Sequence, residues 1–203
     1  MTELAESLLF LPGASGRLDF WRPVSARLQH PAGRHFVGYP GFGGLPEEHE
    51  ITCLDDLVQR VTARMTGPVD LIAQSMGGVI AVLAALRKPE LVRHLVLSVT
   101  SGGIDLTGLA AADWRTEFRA AHPSAPTWFL DERRDLSQRL SEIKAPVLLL
   151  WGDDDPISPV AVGERLAALL PRSELVVLAG GNHDLGFERA DEVAALIERH
   201  LRS

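Results

Sequence analysis

Five short runs of almost unbroken apolar residues punctuate the chain: Leu8 to Leu11, Val69 to Ala73, His94 to Leu97, Val147 to Leu150 and Leu175 to Leu178. They do not alternate with polar residues, so both faces of each are expected to be covered, as in strands of a parallel sheet. A sixth, weaker run is His35 to Tyr39. Between the runs, apolar residues recur three and four apart over Phe20 to Leu28, Leu54 to Met65, Val79 to Leu86, Val160 to Leu170 and Val193 to Leu201. That spacing predicts helices with one buried stripe; in the last, Val193, Leu196, Ile197 and Leu201 share a face that packs on the core. Strand and helix alternate, which predicts an α/β fold: a mostly parallel sheet of about six strands with helices on both faces.

The rhythm breaks once. Ser101 to Lys144 separates two strands by far more than a crossover helix needs. Trp114, Phe118, Trp128 and Phe129 lie there, with Pro123 and Pro126. The segment reads as a short helical lid over a site or as a separately packed helical pair. Its four aromatics either line a substrate or fasten the insert to the body. No repeat or linker divides the chain, so residues 1–203 are expected to form one domain.

Composition narrows the function. Lysine and arginine number 20 against 27 acidic residues, a formal net charge of -7, which leaves no broad basic surface for nucleic acid. Cys53 is the single cysteine, so neither an internal disulfide nor a thiolate-rich zinc site can form. No apolar stretch approaches the length of a membrane span, and Met1 to Ser7 lack the basic residues of a signal peptide. A cytoplasmic protein without a membrane partner is expected.

The chemistry-bearing residues follow the strands. Val69 to Ala73 leads into Gln74-Ser75-Met76-Gly77-Gly78 and then directly into a helix. On such a sharp turn a serine hydroxyl is held clear of the sheet, and small neighbours let strand and helix approach. Ala73 stands where this pattern usually has glycine, adding one methyl at a crowded point. Serine needs a base, and the base needs an acid to orient it. After the fourth run comes Gly152-Asp153-Asp154-Asp155-Pro156, and after the fifth Gly180-Gly181-Asn182-His183-Asp184. Functional groups in open parallel sheets gather at the carboxyl ends of the strands, where all three sites fall. His183 is the candidate base. Asp155 is the first candidate acid and Asp154 the second. The N–H groups of Met76 and of Ala14, in the loop Pro12-Gly13-Ala14-Ser15-Gly16, are candidate donors to an oxyanion. A phosphate cradle is the rival reading of that loop, but no lysine follows at P-loop spacing and no GxGxxG is present.

Serine, then acid, then histidine is the order of the α/β-hydrolase arrangement. Together these motifs resemble the α/β-hydrolase superfamily, and within it the compact esterases that need no cofactor, over nearly the whole chain. Leu11 to Gly16 looks like the family's oxyanion loop, Tyr39 to Gly43 like its second Pro-Gly loop, and Gln74 to Gly78 like its nucleophile elbow. Trp151 to Pro159 is similar to its acid turn, in which Asp155 matches the triad member, and Gly181-Asn182-His183 matches its histidine loop. Pro12 and Gly38 depart from the pattern, which often has histidine and aspartate there. The resemblance implies a serine hydrolase acting on a small ester or thioester, with no metal or cofactor. Carbon-carbon bond hydrolysis or lyase chemistry on the same residues, and a non-catalytic receptor for a small ligand, are the alternatives. Larger members carry a strand pair before the first run, so one sheet edge is expected to be open, and two copies could pair there as a homodimer.

Overall fold

The computed structural model describes residues 5–203. Six strands form one sheet: β1 (Ser7–Leu11), β2 (Gly33–Phe36), β3 (Val69–Gln74), β4 (Val92–Ser98), β5 (Val147–Gly152) and β6 (Ser173–Leu178). All neighbours are parallel, in the order β2-β1-β3-β4-β5-β6. Every residue of β3 and β5 is buried, as is nearly all of β1 and β4. The unbroken apolar runs are therefore the inner strands.

The helices are α1 (Arg22–Ser25), α2 (Leu54–Ala63), α3 (Met76–Arg87), α4 (Arg115–Ala121), α5 (Val160–Leu169), α6 (Leu185–Glu188) and α7 (Ala190–His200). α2 packs on α3, and α3 on β1, β3 and β4; α5 covers β5 and β6. α1, α6 and α7 form the opposing group, with α7 against β5. The sheet is thus clad on both faces. Among the described residues no helix is long and apolar enough to cross a membrane.

The edges and the ends differ from the sequence reading. β6 is only partly covered, with Glu174 and Val177 exposed, because an edge strand has a sheet neighbour on one side alone. β2 begins at Gly33 rather than His35, and its first three residues are exposed, so hydrophobicity could not mark it. Val37 adds one further bond, its N–H donating to Phe10 O, before Pro40 ends any continuation. α1 is a single turn although the apolar pattern spans Phe20 to Leu28. Phe20 and Trp21 are buried ahead of it as ring anchors, the Trp21 indole donating to Leu11 O at 3.0 Å.

The insert between β4 and β5 holds one seven-residue helix, α4, and two 3-10 turns, Trp128–Asp131 and Leu140–Glu142. It is not a helical pair. Its second half is sewn to the body by buried Leu136, Leu140 and Ile143, and Leu136 N–H donates to Gly103 O.

Candidate active site

Ser75 lies between β3 and α3 with φ 52° and ψ −122°, a backbone conformation that side-chain-bearing residues rarely adopt. Such strain costs about 1–3 kcal/mol and persists only where surroundings over-determine it. Here they do. Ser75 N–H donates to Ser98 O at 3.0 Å, while Ser75 O accepts from Gly78 N–H at 2.9 Å and from the Thr100 hydroxyl at 2.6 Å. A Cβ at Gly77 would stand 2.4 Å from Pro12 O, so the start of α3 touches the loop after β1 and only glycine fits. Ala73 is accommodated, fully buried between Leu11 and Leu97 of the neighbouring strands.

The three consecutive aspartates after β5 divide three tasks. Asp153 accepts from Gly180 N–H at 2.6 Å, and Asp154 uses its own backbone N–H on Gly181 O at 2.9 Å. Asp155 alone meets the imidazole, its Oδ2 lying 2.7 Å from His183 Nδ1. Its other oxygen accepts from Ile157 N–H at 2.9 Å and Ser158 N–H at 3.2 Å. The buried carboxylate is thereby oriented by backbone donors. With Nδ1 taken up by Asp155, Nε2 is the ring nitrogen left for another partner. The His183 side chain remains 22% exposed.

The loop after β1 lies against Ser75: a Cβ at Gly13 would be 3.1 Å from Ser75 Cβ. Buried Tyr39 clamps that loop by donating its hydroxyl to Pro12 O at 3.2 Å, and burial pushes the phenol's pKa well up. Ala14 follows Gly13 directly. Met76 opens α3, where N–H groups have no intrahelical carbonyl. Both candidate oxyanion donors thus border the Ser75 turn. Among the described residues no hydrogen bond joins the Ser75 hydroxyl to His183; the link is indirect, Gln74 Nε2 donating to His183 O at 3.2 Å.

The insert's aromatic residues gather around one ring. Phe129, buried, stacks on Trp114 at 5.9 Å and meets Phe118, Trp128 and Phe42 at 5.2, 6.0 and 5.2 Å. Phe42 belongs to the second Pro-Gly loop, so the cluster fastens insert to body. A groove of about 530 Å³ runs beside Ala14 and takes its insert wall from His122, Ser124 and Ala125 instead. Trp114, Phe118 and Trp128 are half-buried at the cluster's margin.

Two further neighbours border the Ser75 turn: Thr100, which the sequence did not single out, and Gln74, which it marked only as the first residue of the serine motif. The available signal was topological: β4 pairs with β3, so the Ser98-Val99-Thr100-Ser101 segment must pass beside the Ser75 turn.

A second Asp–His pair sits at the other end of the same strands. Asp70, fully buried near the start of β3, has Oδ1 2.9 Å from His94 Nδ1. His94 Nε2 faces Ser203 O at 3.5 Å, and Asp70 Oδ2 lies 4.0 Å from His30 Nε2. The His200 ring packs edge-on against His94, 5.2 Å between centroids. Burial, reinforced by the charge of His94, lowers the His200 pKa to about 4. Among the described residues no group of three or more His, Cys, Asp or Glu side chains is arranged to hold a metal.

The fold and the strand-end constellation are those of a serine-elbow α/β protein, and residues 8–196 match the Alpha/beta hydrolase family. The chain belongs to that family. It is 29% identical, over 89% of its length and 68% of the relative's, to a pimeloyl-[acyl-carrier protein] methyl ester esterase of Neisseria meningitidis serogroup A. It is 28% identical, over 94% and 84%, to a 2-hydroxy-6-oxononadienedioate/2-hydroxy-6-oxononatrienedioate hydrolase of Burkholderia vietnamiensis. A thermophilic esterase from Thermogutta terrifontis superposes with TM-score 0.81 at 20% identity, covering 99% of this chain and 91% of that one. Family and relatives support a hydrolase.

Proposed function

We propose that the protein is a serine hydrolase that cleaves a small carboxylic ester or thioester through an acyl-enzyme on Ser75. The observation that carries the reading is the 2.7 Å Asp155–His183 pair beside a strained serine turn that is itself bonded to the histidine loop. His183 Nε2 takes the Ser75 proton as Oγ attacks the acyl carbon. The resulting oxyanion is held by the N–H groups of Met76 and Ala14. As the tetrahedral species collapses, the imidazolium passes its proton to the departing alcohol or thiol, and the acyl group stays on Oγ. His183 then removes a proton from water as it attacks the acyl carbon, and returns that proton to Ser75 Oγ when the second tetrahedral species collapses, freeing the acid and restoring the serine. Asp155 holds the ring and stabilises the imidazolium throughout. Catalytic hydrogen bonds of this kind tighten when substrate binds, which is how the Ser75 hydroxyl reaches Nε2. None of these steps calls on a metal or an organic cofactor.

The groove beside Ala14 suits a small acyl or leaving group; His122, Ser124 and Ala125 supply its insert wall, and the rings of Trp114, Phe118 and Trp128, packed with Phe129, hold the insert together. Carbon-carbon bond hydrolysis is the second reading, favoured by the likeness to the Burkholderia enzyme. A panel of nitrophenyl esters of rising acyl length, acyl thioesters and a vinylogous diketone, run on wild type and Ser75→Ala, separates the two. Short esters or thioesters should turn over, and Ser75→Ala should cost on the order of a millionfold. Equal turnover by Ser75→Ala would overturn the assignment; turnover of the diketone alone would transfer it to the second reading.

A further inference from the structure

Gln74 closes β3 with its side chain buried, a position where an amide left unbonded is costly. Its Nε2 donates to His183 O at 3.2 Å. Its Oε1 lies toward the first loop, and a Cβ placed on Gly13 would come within 2.3 Å of that oxygen. One carboxamide therefore fills the space between the loop after β1 and the loop after β6, directly before the serine in sequence. The histidine loop's remaining ties run elsewhere: Asp153 and Asp154 hold it to the β5 turn, and Asp155 holds the ring. Among the described residues, the Gln74 bond is the one hydrogen bond from the Ser75 strand to that loop.

We propose that Gln74 is a positioning residue that sets the separation of the Ser75 hydroxyl and the His183 imidazole. The proposal rests on the serine-hydrolase reading above. Asp155 fixes the imidazole relative to β5, and nothing in that contact fixes it relative to β3. Gln74 supplies the missing coordinate, through backbone at both ends: its own peptide leads into Ser75, and it grips the carbonyl of His183 itself. A shift of about 1 Å between reacting groups is enough to cost roughly a hundredfold. Gln74 touches no reacting atom, so its loss should slow the acylation step without weakening substrate binding.

The test uses Gln74→Met, close in length but with no donor, and Gln74→Glu, close in shape but with a carboxylate that repels the His183 carbonyl. With nitrophenyl acetate, kcat is expected to fall about 10- to 100-fold in both. KM should stay within about twofold, because uniform binding is untouched. The thermal midpoint and the downfield proton signal of the Asp155–His183 bond should persist, showing that fold and ring pairing are intact. Wild-type kcat in either folded variant would overturn the proposal. So would kcat, KM and thermal midpoint collapsing together in both, since that marks a merely structural side chain. A wild type without esterase turnover, or a Ser75→Ala protein as active as wild type, overturns the serine-hydrolase reading and this proposal with it. An active wild type with unaffected Gln74 variants overturns this proposal alone.

Discussion

The molecule contains two Asp–His pairs of nearly equal length, 2.7 Å for Asp155–His183 and 2.9 Å for Asp70–His94, at opposite ends of the same sheet. In both, the aspartate is buried and the contact is made through Nδ1. What differs is the far side of each ring. His183 is partly exposed, its Nε2 is not engaged by Asp155, and its loop is tied to the strand that leads into Ser75. His94 is enclosed, and its Nε2 faces the Ser203 carbonyl, an acceptor like the carboxylate on its other side. The His94 ring is thus held on both sides inside the protein, with no nitrogen left facing a cleft. The same two residue types meet once at a partly open strand end, where the proposed base lies, and once in an enclosed cluster. The second nitrogen decides.

Replacement of the two aspartates would separate the roles. Asp155→Asn should lower kcat by about ten-thousandfold, because the amide imposes the wrong tautomer, while leaving the protein folded. Asp70→Asn should leave turnover within about twofold and cost roughly 1–3 kcal/mol of stability in urea unfolding, since it removes the carboxylate that the buried His94 ring meets. If both variants lost activity in proportion to stability, the contrast would fail.

The buried cluster also predicts an acid limb. Burial lowers the His200 pKa to about 4 in the folded protein, from an ordinary value of 6.5, so the unfolded chain binds its proton first. The contribution is complete above pH 6.5 and declines as pH falls toward 4, by roughly 3 kcal/mol in all. His200→Phe should flatten that part of the urea-midpoint profile, and an unchanged profile would contradict the assignment. A smaller effect is expected at the serine turn. Thr100→Val removes a donor to Ser75 O and an acceptor for Gly102 N–H, which should cost about 1–3 kcal/mol of stability. Urea denaturation measures it.

Much of this was legible along the chain because burial on both faces writes itself as unbroken apolar sequence. Leu8 to Leu11, Val69 to Ala73 and Val147 to Leu150 announced inner strands, and the chemistry-bearing residues sat at their ends. The edges were harder. Gly33, Arg34 and His35 pair with β1 while facing solvent, so nothing apolar marks them, and Val177 is apolar yet exposed. Among the three aspartates, sequence left two candidates for the partner of His183; the contact falls to Asp155, whose side chain turns inward and is buried, whereas Asp154 is exposed and meets the histidine loop through its backbone N–H. The insert's aromatic residues were visible as a group, but whether rings face a ligand or one another depends on contacts with Phe42, 72 residues before Trp114 in the chain. Gln74 stands in the elbow motif with no role that the motif assigns, and Thr100 belongs to no motif. Each acts through one or two hydrogen bonds that exist only once β3, β4 and β6 have brought their ends together.

One serine among the chain's hydroxyls is expected to be activated by His183. Intact-protein and peptide mass spectrometry after treatment with a fluorophosphonate would test it most directly. The account predicts a single stoichiometric adduct on the peptide bearing Ser75, absent in Ser75→Ala and slowed at least about a hundredfold in His183→Ala. An unlabelled wild type, or equal labelling of the His183→Ala protein, would contradict it.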